Sequence, residues 1–107
     1  MVNMYILKHR KPLVLNNATE WARTIGDFKT RRIRQYRTDG LLLSTVFLGI
    51  DMGLDGDELF ETMLFFGDDV LYCQRCGTHR EAIKIHLIAK RYFFTKGGKF
   101  KGQNIGK

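Results

Sequence analysis

The sequence predicts an α+β fold: a mostly antiparallel sheet of about five to six strands with two helices packed on one face. Three observations carry this. The elements run strand, strand, helix, a meander of four strands, then helix. Asp39-Gly40 lies between two strand-like runs and is the strongest hairpin signal in the chain, because a type I′ turn needs positive φ at both central residues. Helix-capping residues precede each of the two helical segments, Asn17 the first and Thr78 the second. With 107 residues, 44% hydrophobic, 27% charged and one Pro, the chain is one domain with one core, not a disordered or collagenous one.

Met4–Leu7 and Pro12–Leu15 read as short strands around the basic turn Lys8-His9-Arg10-Lys11; Pro12 fits a strand start, where no ladder donor is lost. Asn17 can cap a helix over about 18–28, with Glu20 reaching back to its amide and Trp21, Ile25 and Phe28 at helical spacing. Gly26 weakens its end. Arg31–Thr38 is a half-exposed strand. Leu41–Ile50 is nearly all apolar, so it is a central strand covered on both faces, or on one face with a partly apolar outer one. Glu58–Phe66 follows, with Phe60, Thr62, Leu64 and Phe66 on one face, and Val70–Gln74 is the last strand. Thr78-His79-Arg80-Glu81 opens a helix to about Phe94 with Ala82, Ile85, Ala89, Tyr92 and Phe93 as its buried stripe, widened by Ile88. Arg80, Lys84 and Arg91 point to water. Residues 96–107 hold four Lys and four Gly and read as a flexible basic tail beyond a domain of residues 1–95.

The net charge of +7 is segregated. Residues 1–37 hold nine Lys/Arg and two acids, residues 38–74 hold eight acids and no Lys or Arg, and residues 75–107 hold nine Lys/Arg and one acid. If the chain ends meet, one face is basic and one acidic. The densest basic segment is Arg31-Arg32-Ile33-Arg34-Gln35-Tyr36-Arg37. Arg forks fit phosphate oxygens, and Tyr offers a stacking surface for an unpaired base. Strand alternation puts Arg32, Arg34 and Tyr36 on one face and Arg31, Ile33, Gln35 and Arg37 on the other. The candidate nucleic-acid-binding set is Arg31, Arg32, Arg34, Tyr36 and Arg37 from this strand, Lys84 and Arg91 from the last helix, and Lys96, Lys99 and Lys101 from the tail. The same charges also suit a solvated edge strand protected from aggregation.

Signs of catalysis, metals and cofactors are weak. Cys73-Gln-Arg-Cys76 lacks two further ligands at zinc spacing, and Cys73 sits in a strand rather than at a helix N-terminus; both are expected as free thiols, one packed and one half-exposed. Residues 51–58 do not match the calcium-loop spacing, since Gly53 and Thr62 occupy ligand positions. Asp51, Glu61 and His86 are the residues that a small nuclease or nucleotide binder would use for acid–base or metal-assisted chemistry. No metal, cofactor or catalytic set is assigned. No apolar run approaches the ~20 residues of a membrane span. Met4–Leu7 is short and precedes its basic residues, unlike a secretory signal, and the two Cys fit a reducing compartment.

Ser44-Thr45-Val46-Phe47-Leu48-Gly49-Ile50-Asp51, followed by Leu59-Phe60-Glu61-Thr62-Met63-Leu64-Phe65, resembles a family of small tailed-phage proteins whose pattern is STVFLGLDH, a Gly-rich loop, then FETMVFG. Met4–Leu7, Glu20-Trp21-Ala22, and Arg75, Thr78, Glu81-Ala82 and His86 extend the likeness over about residues 4–90. Met52 stands where the family has His, Cys76 where it has Tyr, and Ile85 where it has Gly. The family has no agreed activity. The resemblance implies phage origin and action in the host bacterial cytoplasm. With the charge, the expectation is a binding protein for nucleic acid or a nucleic-acid-bearing host complex, serving counter-defence or host takeover. The alternatives are an inhibitor that docks a host protein without nucleic acid, or the small enzyme above.

Overall fold

The structure, a computed structural model, describes residues 3–51, 53 and 57–101. The chain forms β1 (Tyr5–Lys8), β2 (Lys11–Val14), α1 (Ala18–Ile25), α2 (Phe28–Arg31), β3 (Arg32–Thr38), β4 (Leu41–Phe47), β5 (Phe60–Phe66), β6 (Asp69–Cys76) and α3 (His79–Phe93). The six strands form two antiparallel sheets, a β1–β2 hairpin and a four-stranded meander in the order β3-β4-β5-β6, with α3 packed on the meander. The fold is α+β, as the element order predicts. The first helix stops at Gly26, and Arg31 closes the single turn of α2 instead of opening β3. Both residues of the expected hairpin turn have positive φ, 50° at Asp39 and 76° at Gly40.

The register assigns each side chain of the meander to a face. Leu43 pairs with Tyr36 and Leu64, and Leu64 with Tyr72; these face α3. Ser44 pairs with Gln35 and Met63, and Met63 with Cys73; these face the other way. A bulge between Arg32 and Arg34 interrupts the alternation, so Arg34 opposes Thr45 on the α3 side while Arg32 opposes Val46 on the far side. The sequence expectation that Arg32 shares a face with Arg34 and Tyr36 is therefore corrected: one extra residue, Ile33, changes the parity.

The buried core under α3 has two parts. Leu41, Leu43, Leu64, Ala89, Phe93 and Phe94 form one, and Phe47, Leu59, Phe60, Cys76 and Ala82 the other, against which Tyr5, Leu7, Ile25 and Ile33 pack. Side chains this well buried contribute ~1.5–3 kcal/mol each by removal from water. Trp21 of α1 clamps the smaller sheet to the larger: its indole N–H donates to the carbonyls of Tyr5 (3.0 Å) and Gly49 (3.1 Å). Gly49 has φ +80°, and a Cβ there would lie 2.5 Å from Ile25 Cδ1, so only glycine lets α1 approach the end of β4 this closely.

The inward stripe of α3 is Ala82, His86, Ala89 and Phe93. Tyr92 and Ile88, expected in it, are 70% and 54% exposed. A histidine replaces them because a polar partner awaits it in the sheet. At the helix start, Thr78 accepts from the Glu81 amide as predicted, but the Glu81 carboxylate takes the Thr78 hydroxyl (3.0 Å) rather than the backbone. The chain also does not leave the domain at Lys96. It folds back through Thr95 N–H to Lys99 O (2.7 Å) and Lys101 N–H to Phe93 O (2.8 Å), with the Phe100 ring tilted against Phe94 at 5.9 Å. The tail reading thus gives way for residues 96–101, because Phe100 finds apolar cover; residues 102–107 lie outside the described residues.

Candidate functional site

Where the C-terminal end of α3 meets β3, a cleft of about 300 Å³ opens, lined by Tyr36, Leu87, Lys90, Arg91, Phe94, Thr95 and Lys96. Tyr36 forms the wall. Its ring meets Phe94 edge-on at 5.0 Å, and Lys90 Nζ sits 4.2 Å from its centroid, a cation–π contact. Gly98, at φ +82°, passes the Tyr36 hydroxyl so closely that a Cβ would lie 2.8 Å from it, which seats the returning segment against the cleft.

A helix C-terminus is a poor place for an anion, since its free carbonyls carry partial negative charge. Here three of the last four carbonyls are engaged. Phe94 N–H bonds to Lys90 O, Lys101 N–H to Phe93 O, and the Lys101 ammonium to Arg91 O (3.2 Å). The chain itself engages most of the carbonyl end, while Lys90, Arg91 and Lys96 present three cations beside the half-buried Tyr36 ring, which Phe94 backs from the core. That arrangement can hold a phosphate against side-chain donors and an aromatic edge.

Of the sequence-predicted set, the cleft brings together Tyr36, Arg91 and Lys96. Lys99 and Lys101 lie in the adjoining turn, and Lys101 is spent on capping α3. Lys84 is exposed on α3. Arg34 lies on the α3 side of β3, one pair of rungs from Tyr36; burial chiefly lowers the pKa values of His79 and His86, and the Arg34 charge adds to it, after Arg10 in the case of His79. Arg31 sits in α2. Arg32, bonded to Gln35 Oε1 (3.4 Å), and Arg37 lie on the opposite face of the sheet. The single basic face expected from the sequence is thus divided between the two sides of the sheet. Lys90 and Phe94 were not singled out in the sequence. Their signal is the Lys90-Arg91 pair in the last turn of the helix with Phe94 just after it, and it is legible only once β3 is known to lie beside the helix end.

The proposed acid–base set does not assemble. His86 is 1% exposed and its Nδ1 is 2.8 Å from Thr45 Oγ1, which is 2.7 Å from Thr62 Oγ1; all three lie between α3 and the sheet. Glu61 pairs across from Val46, so it points out of the opposite face, where its carboxylate binds Arg75 Nε at 2.9 Å. Asp51 Oδ1 accepts from the amides of Gly53 (2.9 Å) and Glu58 (3.3 Å) and closes its own loop. The enzyme reading built on Asp51, Glu61 and His86 is corrected on that ground: a β-sheet separates the histidine from the glutamate. Burial, with Arg34 and Lys90 nearby, pushes the His86 pKa down to about 4, so the ring is neutral at pH 7.

Cys73 and Cys76 are free thiols, Cys73 exposed and Cys76 buried. They occupy opposite faces of β6, Cys76 with its thiol toward Thr78 O (3.6 Å). Burial and the Glu61 carboxylate push the Cys73 thiol pKa up, the reverse of an activated nucleophile. Among the described residues, no group of three His, Cys, Asp or Glu side chains is placed to hold a metal ion. Residues 52 and 54–56 of the acidic loop lie outside the described residues.

Fold and cleft together define a small α+β domain with a cationic, aromatic-walled surface site. Compared with protein-family models, curated proteins and solved structures, the chain finds no match in any of the three.

Proposed function

We propose that this chain is a small phage-derived binding protein that takes nucleic acid, or a nucleic-acid-bearing host complex, through the Tyr36 cleft in the infected bacterial cell. The observation that supports it is the convergence of Lys90, Arg91 and Lys96 on Tyr36 and Phe94, at a helix end most of whose carbonyls the chain has already capped. Three cations beside the half-buried Tyr36 ring, which Phe94 backs from the core, suit a strand whose phosphates bind the cations while an exposed base edge meets Tyr36. Phage origin and a role in counter-defence or host takeover rest on the sequence resemblance alone.

Fluorescence anisotropy with a labelled single-stranded oligonucleotide tests this. Three phosphate contacts give a log–log salt slope of about −2, so affinity falls roughly 20-fold between 50 and 200 mM salt. The double substitution Arg91→Glu and Lys96→Glu abolishes binding with an unchanged melting temperature, because exposed charges contribute little to stability. Failure of any DNA or RNA to bind at 50 mM salt would sink the proposal and leave the cleft without a nucleic-acid role.

A further inference from the structure

The open face of the four-stranded sheet, which the cleft does not use, carries a second inference. We propose that this face docks an acidic, apolar-bearing segment of a partner protein. The first ground is composition. An antiparallel sheet with one face in water normally carries polar side chains there. This one carries Leu42, Val46, Met63 and Phe65 on its two central strands, over a groove of about 210 Å³ lined by strand residues alone, with Gln35 and Glu61 at its sides. Val70, 49% exposed, extends the apolar strip on β6. The central strands are thus apolar on both faces, while α3 covers only one.

The second ground is charge. Arg32 and Arg37 stand on the β3 edge of the strip and Arg75 on the β6 edge, where Glu61 binds it and Glu58 lies near enough to add a second negative charge. With Arg75 offset by these carboxylates, Arg32 and Arg37 leave a cationic excess beside an apolar centre, which complements a segment with apolar anchors flanked by Asp or Glu. The same excess disfavours a second copy, because stacking two such faces brings like charges together. Nucleic acid fits less well, since Phe65 is the one aromatic ring on the strip and unpaired bases seek successive stacking surfaces. An apolar centre with a charged rim is the anatomy of a protein interface.

The test uses the full chain as bait for a display library of random peptides about a dozen residues long, with the strongest binder resynthesised for anisotropy. The expected winners combine large apolar residues with Asp or Glu. Their binding weakens at least roughly tenfold, about 1.4 kcal/mol, in Met63→Glu and in Val70→Glu. The second variant alters a half-exposed edge residue and serves should the first fail to fold. Arg32→Glu with Arg37→Glu weakens binding most at low salt, whereas the cleft variant Arg91→Glu with Lys96→Glu leaves it unchanged, so this inference stands or falls separately from the cleft. No enrichment, basic or uncharged winners, or binding indifferent to Met63→Glu and Val70→Glu would overturn it. So would oligonucleotide binding or concentration-dependent dimerisation that those two variants abolish, which would give the face to nucleic acid or to a second copy.

Discussion

The two faces of the four-stranded sheet are made by the same strands and have similar apolar content, yet they have different fates. On the α3 side Leu41, Leu43, Phe47, Phe60 and Leu64 are all 2% exposed or less. On the other, Leu42, Val46, Met63 and Phe65 remain partly open to solvent. Alternate residues of one strand differ in burial because a helix lies over one set only. The covered side even accommodates a polar chain, Thr62–Thr45–His86, because each group has a partner; the open side keeps its arginines on the edge strands, and Glu61, on a central strand, is held by Arg75.

The sharpest way to break this comparison is to cut equivalent bulk from each face. Phe60→Ala should cost about 3–5 kcal/mol by leaving a cavity, and Met63→Ala about 1–2 kcal/mol, since its side chain is only partly withdrawn from water and the space it leaves opens to solvent. Urea denaturation measures both; equal costs would mean that the open face is packed in solution. Acid is the next largest lever. With His86 at about 4 in the folded chain against 6.5 unfolded, the unfolded state binds the proton first. Its contribution is fully present above pH 6.5, declines as pH falls towards 4, and is gone below, a loss of about 3–4 kcal/mol at ~1.4 kcal/mol per unit. His86→Leu should remove that decline from the pH profile of the urea midpoint.

Thr45→Val should cost about 2 kcal/mol, because it strands both the His86 nitrogen and the Thr62 hydroxyl in a dry site. Thermal melts of the single variant and of Thr45→Val with Thr62→Val check it, the pair costing less than the sum if the hydroxyls act as one chain. The smallest effect separates the arginines that the bulge divides. Arg34→Gln, on the covered side, should raise the His86 pKa in an NMR titration, whereas Arg32→Gln, on the open side, should leave it in place.

What was legible in the chain is what neighbours in sequence decide among themselves. The Asp39-Gly40 turn needs only two residues able to take positive φ, and the Thr78 cap needs only a hydroxyl three residues before Glu81. Period-two alternation likewise put Phe60, Thr62 and Leu64 on one face of β5. The rest depended on contacts far apart along the chain. Ile33 bulges because β4 and the core beneath it hold β3 in two registers at once, and that alone sends Arg32 away from Tyr36. His86 displaces Tyr92 and Ile88 from the buried stripe because Thr45, 41 residues away, offers it a hydrogen bond. The cleft exists because Lys90, Phe94 and the turn at Gly98 close around Tyr36, which lies more than fifty residues earlier. Local conformational preference is settled within a turn of chain, but which face is covered, and which charges meet, is settled only when the layers pack.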